Sequence, residues 1–383
     1  MPVAVADQRA DPCWSGGELA PFRAAVARFC VEELVPHQSR WAEARQVDRT
    51  LWTLAGKAGL LCLSIPESYG GGGGTFAHEA VLAEEQARAG DTAWGLSAHG
   101  VVAHYVLEHG TEEQKQRWLP QLASGELVGA LAISEPGAGS DIQAVAATAR
   151  VEGDDYLLNG AKSFVTNGVQ SGLVVVLAKI AGVRPSFFVV ETEGVSGLSR
   201  GRPLDKIGRH GQDTCELFFD NVRIPASNLL GAGEGLALRQ LPRLISRERL
   251  LLAVSSVSAM EGAIAETVRY CRDRTVFGKP LIRMQNTRFV LAGCAVKAAA
   301  SRALLDRCVE RELAGRLTMS EAATVKVETT ERLGEVVDEC LQLFGGNGYT
   351  AGYPIGRAWA DARVARIFGG TSEVLKEVIA GAL

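Results

Sequence analysis

Apolar residues recur at helical spacing through the first third of the chain and again beyond Gly235, and between those stretches the pattern shortens to strand-length runs. In the first block the periodicity predicts helices near Glu18–Pro36, Asp48–Gly59, Phe76–Ala89 and Thr92–His109, and from Thr111 to about Ser124. Thr111, followed by Glu112 and Glu113, reads as a helix start, because a hydroxyl caps free N–H groups and acids suit the positive end of the helix dipole. The glycines Gly70–Gly74 read as a loop between helices, most simply a flexible linker. From about Val128 to Pro225 the runs are short, β-branched or aromatic: Leu173–Leu177, Phe187–Val190 and Glu216–Val222 read as strands, and Ala147–Leu158 as a hairpin turning at Gly153–Asp155. Long helices follow over about 236–271, 282–313 and 319–344, with a shorter one near the end, which predicts a four-helix bundle. The chain therefore divides into helical residues 1–126, a β block over 127–231 and a helical bundle over 232–383. Without alternating βαβ units it is an α+β fold and not a doubly wound or barrel α/β fold.

Composition narrows the function classes. The 383 residues are 47% hydrophobic and 22% charged, which excludes wholesale disorder. Forty basic against 44 acidic residues, net −4, leave no basic footprint for nucleic acid or for an anionic membrane surface. No apolar run approaches the length of a transmembrane helix, and MPVAVADQRADPCW lacks the pattern of a secretion leader. The expectation is a cytoplasmic protein with no membrane association. Cys13, Cys30, Cys62, Cys215, Cys271, Cys294, Cys308 and Cys340 are scattered with no CxxC, so they read as buried free thiols in a reducing compartment. His99, His104 and His109 recur every five residues, which spreads them around a helix, so no metal site is expected.

Five glycine-containing segments carry candidate chemistry. In Ile133–Asp141 (ISEPGAGSD), Gly137 and Gly139 allow close backbone approach to a ligand, and Ser134 and Ser140 add hydroxyls. In Lys162–Gly168 (KSFVTNG), Phe164 and Thr166 are two apart and share one face of a strand. Arg274–Gln285 (RTVFGKPLIRMQ) pairs an arginine with a glycine turn, which suits a phosphate. Gln342–Tyr349 (QLFGGNGY) and Phe368–Glu373 (FGGTSE) are glycine turns at helix ends. Each alone is explained by a turn, a cap or a surface ion pair.

Together, in this order across α, β and α blocks, they make the chain resemble the acyl-CoA dehydrogenase family, flavoproteins that desaturate acyl thioesters. The resemblance runs from about residue 18 to 383 and includes IPESYGGGG (Ile65–Gly73) and DNVRIP (Asp220–Pro225). It implies an N-terminal helical domain, a middle β-barrel or sandwich domain, a C-terminal four-helix bundle, bound FAD, a homotetramer or dimer, and an electron-transfer flavoprotein as acceptor. By position it lays Ile133, Ser134, Gly139, Ser140, Phe164 and Thr166 against the flavin ring and ribityl chain. Phe164 stands where many relatives carry Trp, keeping a stacking face and losing the indole N–H. Arg274, Phe277 and Gln285 are implied to reach the ADP half of an FAD bound mainly by a neighbouring subunit, with Gln342, Gly345 and Gly346 on the other side of that site. Thr371 and Glu373 belong to the segment that touches the flavin, and Ser140, Arg249 and Gly370 border the substrate.

Such a reaction needs a carboxylate to take the proton α to the thioester carbonyl while the β-hydride passes to flavin N5. Many relatives place a Glu immediately before Gly-Thr in the segment matching FGGTSE, where this chain has Gly369. Either the chain is inactive or the base lies elsewhere. Arg247-Glu248-Arg249-Leu250 resembles the ERL segment of the isovaleryl-CoA and long-chain subfamilies, which carry the base at that Glu, and Arg249 lies 25 residues before Arg274 (274 − 249), as the family spacing implies. On a helix Glu248 shares a face with Leu251, Leu252 and Ser255, which desolvates the carboxylate and raises its pKa. The plain alternative is a surface glutamate flanked by two arginines. Gly369 retains a backbone N–H for the thioester oxygen, and Arg249 is expected to hold its turn.

The expected substrate is an acyl-CoA or an acyl-carrier-protein thioester. The carrier reading comes from a connection of about nine residues (AKIAGVRPS) between Leu177 and Phe187, shorter than in medium-chain relatives. A flavin oxidase or monooxygenase and a non-catalytic thioester- or flavin-binding relative are the competing readings. The helix over Thr92–His109, with Gly95, Ser97, Ala98 and Gly100, is expected to line the acyl tail.

Overall fold

The computed structural model describes residues 13–383; residues 1–12, where a leader was sought, and the side chain of Cys13 lie outside the described residues. The first block holds α1 (Ala20–Phe29), α2 (Gln38–Ala44), α3 (Arg49–Lys57), α4 (Phe76–Arg88), α5 (Leu96–His109) and α6 (Glu112–Ala123). The single helix expected over Glu18–Pro36 is interrupted. A wider turn spans Cys30–Leu34, a tighter one spans Val35–His37, and the chain is helical again from Gln38. Pro36 has no N–H for the regular ladder, so the backbone changes pitch around it. Helix α5 starts at Leu96 rather than Thr92, because the Asp91 carboxylate accepts from the N–H groups of Ala93 and Trp94, both at 3.2 Å, and folds the preceding residues into a turn. Thr111 caps α6 as expected, in a reciprocal exchange with Gln114.

Gly70–Gly74 is not a free linker. The N–H groups of Gly72, Gly73 and Gly74 donate to the carbonyls of Cys62, Ile65 and Leu63. A β-carbon at Gly71 would stand 2.2 Å from the Ile65 oxygen, so the glycine serves close packing of two chain segments.

The middle block contains β1 (Gly129–Ala132), β2 (Thr148–Glu152), β3 (Asp155–Thr166), β4 (Leu173–Ile180), β5 (Arg184–Glu191), β6 (Leu198–Arg200) and β7 (Thr214–Pro225). They form one seven-stranded sheet in the order β1–β4–β2–β3–β7–β6, with β5 pairing β4. Strands β1 and β4 are parallel, and the other long pairings are antiparallel. The expected hairpin is β2–β3, with Glu152 opposite Asp155. Between β4 and β5 the nine-residue loop is absent: both strands run on until Ile180 faces Arg184, leaving a three-residue turn over 181–183 with Ala181 and Gly182 at positive φ. Against β7 the ladder of β3 slips between Lys162 and Val165, a bulge with Phe164 at φ 58°. The buried faces of β4 and β5 pack against Tyr105 and Trp118 of α5 and α6 in one core.

The last block holds α7 (Ala237–Asp273), a small hairpin of β8 (Thr275–Val276) and β9 (Lys279–Pro280), then α8 (Gln285–Leu313), α9 (Met319–Phe344), α10 (Pro354–Ala362) and α11 (Ser372–Ala380). Three long helices pack on one another, and the short α10 and α11 lie along α9. By length and composition α7 could cross a bilayer, yet half of its apolar stretch is buried inside the protein, where Leu250, Val254 and Val257 share a core with Phe76, Ala80 and Val81 of α4. That shared core brings α4 of the first block against α7 of the last.

Candidate active site

The residues expected around the base come together. Glu248, Arg249 and Leu252 lie on α7, and the turn Gly369–Gly370, with φ of 64° and 97°, lies against them just before α11. A β-carbon at residue 369 would sit 4.0 Å from Glu248 Oε1. The two positions at which the family resemblance places a base, 248 and 369, therefore converge on one point. The same β-carbon would meet Leu252 Cδ1 at 2.7 Å, so a glycine suits this turn both in φ and in space. Arg249 Nε donates to the Gly369 carbonyl at 3.1 Å, as expected of it. Lys326 of α9, fully buried, donates to the Gly370 carbonyl at 2.7 Å. The Gly369 N–H makes no hydrogen bond among the described residues, and Arg249 NH1 is buried without a partner there. Thr371 caps α11 by accepting from the Val374 N–H at 3.3 Å, and Glu373 is exposed in the first turn of that helix.

Burial pushes the Glu248 carboxyl above the ordinary range, while Arg249 and Lys326 pull the other way. Burial, and then Arg249, push the Lys326 ammonium down to about 8. For a reaction in which Glu248 is the general base, and so must be ionised, the rising limb of kcat/KM against pH is expected above the usual carboxylate range. Lys326→Met removes a cation that favours ionised Glu248, so the limb should move to higher pH. A limb that stays in place or moves down would exclude this coupling.

A second group lies on one face of the sheet domain. Phe164 is 71% exposed between buried Ser163 and Val165, and half-buried Thr166 follows two positions on. The loop 133–140 is tied to β3, since the Ser163 N–H donates to the Ser134 carbonyl at 2.9 Å and Lys162 Nζ donates to the Ile133 carbonyl at 3.0 Å. Beneath it Glu135 receives Lys162 Nζ at 2.7 Å and the N–H groups of Ala146 and Ala147 at 2.7 and 3.0 Å. Burial opposes the charge on Glu135, but Lys162 and those amides outweigh it and hold the carboxyl below its usual range. Above this pair, Ser140 is exposed, and a β-carbon at Gly139 would meet nothing within 4 Å. An exposed aromatic face, hydroxyls and an open glycine loop fit a flat, polar-edged cofactor such as a flavin.

A third group sits at the far end of the bundle. Arg274 ends α7, and Phe277, 96% exposed with φ 49°, forms the tip of the β8–β9 turn together with Gly278. Gln285 begins α8, while Gln342, Gly345 and Gly346 lie at the end of α9. The two ends are joined by Tyr270, which stacks on Phe344 at 4.0 Å, donates to its carbonyl at 3.2 Å and accepts from Asn347 at 2.9 Å. Among the described residues no hydrogen bond or ion pair connects this group to the Phe164 face.

A cavity of about 460 Å³ is lined by Ser97 and Gly100 of α5, Leu82 and Ala83 of α4, Leu251, Leu252 and Ser255 of α7, and Phe368. Gly95 does not line it: a β-carbon there would meet Asn167 Oδ1 at 2.0 Å, because Asn167 donates to the Gly95 and Gly129 carbonyls and locks α5 to the end of β3. Ala98 does not line it either. The three histidines of α5 go to separate partners. His99 meets Leu122 O and the Gly129 N–H, His104 meets Glu79, and His109 meets Gln240 O. Among the described residues no group of side chains could hold a metal ion.

Sequence reasoning missed Lys326, Glu135, Lys162 and Asn167. The one hint was Lys326, a lysine set among small and apolar residues in AATVKV, Ala322–Val327. The arrangement defines a class: helical, sheet and helical blocks with a buried carboxylate at a glycine turn, and a cavity of about 460 Å³ reaching that turn. Family models for the N-terminal, middle and C-terminal domains of acyl-CoA dehydrogenases match residues 17–126, 130–222 and 234–383, and the chain belongs to the acyl-CoA dehydrogenase family. It is 42% identical over 366 residues to the mitochondrial long-chain specific acyl-CoA dehydrogenase of Sus scrofa, covering 94% of this chain and 85% of that protein. It is also similar to the crystal structure of an acyl-CoA dehydrogenase from Geobacillus kaustophilus, with a TM-score of 0.93, 38% identity, and 96% and 98% of the two chains covered. The acyl-CoA dehydrogenase of Bacillus anthracis solved in complex with FAD gives a TM-score of 0.90 at 30% identity, over 94% of this chain and 66% of that one.

Proposed function

We propose that this protein is an FAD-dependent oxidoreductase that converts an acyl-CoA to the trans-2-enoyl-CoA, with Glu248 as the α-proton base. The observation that carries the assignment is the 4.0 Å between Glu248 Oε1 and the point from which a side chain at residue 369 would start. FAD, when bound, supplies the acceptor for the β-hydride. Glu248 takes the α-proton, and burial gives its carboxylate the basicity for that step. The Gly369 N–H donates to the thioester oxygen as negative charge develops there. Arg249 and Lys326 hold the Gly369 and Gly370 carbonyls, the two that follow that N–H, which anchors the turn on its C-terminal side. Ile133, Ser134, Gly139, Ser140, Phe164 and Thr166 would hold the flavin ring and ribityl chain. Gly370 and Ser140 border the thioester, and Thr371 and Glu373 continue the same wall.

Arg274, Phe277 and Gln285, with Gln342, Gly345 and Gly346, would hold the ADP half of an FAD shared with a neighbouring subunit in a homotetramer or dimer. Their position at one exposed end of the bundle supports this reading. Arg274→Ala should weaken FAD retention by about 1.5–3 kcal/mol, the worth of one hydrogen bond to a charged group. Equal flavin occupancy on dilution would exclude the placement. An electron-transfer flavoprotein is the acceptor, and the seven buried free thiols among the described residues suit a reducing cytoplasm. The compact β4–β5 turn keeps a carrier-protein thioester as the second reading, because a short turn offers few contacts to a nucleotide.

The test is anaerobic. The purified protein should be yellow and should be bleached by acyl-CoA thioesters, with a dye restoring the colour. Turnover with oxygen and without thioester bleaching would point to an oxidase or monooxygenase instead. One acyl chain presented on CoA, on pantetheine and on a carrier protein separates the two thioester readings.

A further inference from the structure

Two ionisable groups on the cavity wall take no part in the chemistry above. Glu79 of α4 and His104 of α5 both line the cavity, with side chains 14% and 8% exposed. Glu79 Oε1 accepts from the Ser64 hydroxyl, from His104 Nε2 at 3.0 Å and from Arg247 at 2.9 Å. Arg247 also donates to Ser64 Oγ at 2.8 Å, pairs with Glu312 at 3.1 Å and lies over the Phe76 ring, 4.9 Å from its centroid. Burial works against the charge on Glu79, but Arg247 and His104 outweigh it and bring the carboxyl down to about 2.

An ionised carboxylate only accepts, so His104 Nε2 is the donor in their contact. In the neutral ring that leaves Nδ1 as an acceptor. Every contact to Glu79 falls on Oε1, and neither Glu79 Oε2 nor His104 Nδ1 makes a hydrogen bond among the described residues. Neither atom is among the fully enclosed polar atoms that lack a partner. Glu79 Oε2, and His104 Nδ1 in the neutral ring, are therefore acceptors without a donor among the described residues, on side chains that line the cavity. The same cavity reaches the catalytic turn, since Leu252, whose Cδ1 would touch a β-carbon at residue 369, also lines it.

Resting on the acyl-thioester reading above, we propose that Glu79 and His104 form a polar subsite in the acyl cavity that selects a tail carrying a hydrogen-bond donor, a hydroxyl beyond the β-carbon. A plain hydrocarbon tail would leave both acceptors unpaired in a space it had dried. A terminal carboxylate brings no donor, and it adds a third negative charge beside Glu79 and Glu312, which share Arg247. A keto group offers only another acceptor.

The experiment uses the FAD-loaded Glu248→Gln protein, whose binding is read by calorimetry without turnover. Matched CoA thioesters are titrated: unsubstituted, hydroxylated or oxidised to the ketone at successive tail carbons, and ω-carboxylated. The best hydroxyacyl-CoA should bind about tenfold or more tighter than the unsubstituted and keto chains, and the ω-carboxyl chain should bind weakest. Adding Glu79→Gln, or His104→Phe should that variant fail to fold, should bring the hydroxylated and plain chains to within about twofold of each other. Equal binding of the hydroxylated and plain chains overturns the subsite alone, as does a preference that survives both substitutions. Failure to bind any thioester overturns the subsite together with the reading on which it rests.

Discussion

Glu248→Gln should keep its FAD and lose flavin bleaching by substrate by about 10²–10⁴-fold, the usual contribution of a positioned general base. The amide is nearly isosteric, so packing against Leu251 and Leu252 is retained while the proton acceptor is removed. Anaerobic stopped-flow with a saturating thioester reads the rate directly, and parental bleaching would remove Glu248 from the mechanism. The geometry adds a sharper form of the test. Because a β-carbon at residue 369 lies 4.0 Å from Glu248 Oε1, a carboxylate moved to 369 has access to the same region. It would collide with Leu252 Cδ1 at 2.7 Å and must adopt φ of 64°. Glu248→Gly with Gly369→Glu should therefore recover little activity alone, and more when Leu252→Ala makes room.

Lys162→Met should produce the largest loss of stability, about 3–5 kcal/mol, the cost of leaving one member of a buried ion pair alone. Lys162 is fully buried, and Glu135 has no other cation within reach among the described ion pairs. The Ala146 and Ala147 amides would remain on the carboxylate, but the link from Lys162 to the Ile133 carbonyl would go, and the loop 133–140 would loosen over the Phe164 face. Flavin release at lower temperature and a fall in the denaturant midpoint are expected together. Adding Glu135→Met should recover part of the stability, since an apolar pair removes the orphan charge. Unchanged stability in Lys162→Met would mean that the pair does not hold this loop.

Much of this molecule is legible locally. The capping of α6 follows from Thr111 and its neighbours, the β2–β3 hairpin from Gly153, and the strands from their β-branched runs, because each is set by residues a few positions apart. The errors share a cause. Gly70–Gly74 read as a linker because the carbonyls that dock it lie on another segment, Cys62–Ile65. The β4–β5 connection read as a nine-residue loop because Lys179 and Ile180 pair with Pro185 and Arg184, and a single strand pattern does not reveal its partner. Gly95 read as room for a substrate, although Asn167, 72 residues on, fills that space.

The candidate site divides the same way. Sequence alone determined the order of helical and sheet blocks, the glycine at 369 and the presence of Glu248 within the long helix α7, because periodicity and motif spacing are properties of neighbours along the chain. Only the tertiary structure decided that Glu248 and Gly369, 121 residues apart (369 − 248), meet within 4.0 Å of each other's reach. It also decided that Lys326 and Arg249 share one turn, that Glu135 rests on Lys162, and that Glu79 and His104 face the same cavity. Those contacts join different elements, and burial in a shared core, which gives the charges their pKa shifts and their strength, exists only once the elements have packed.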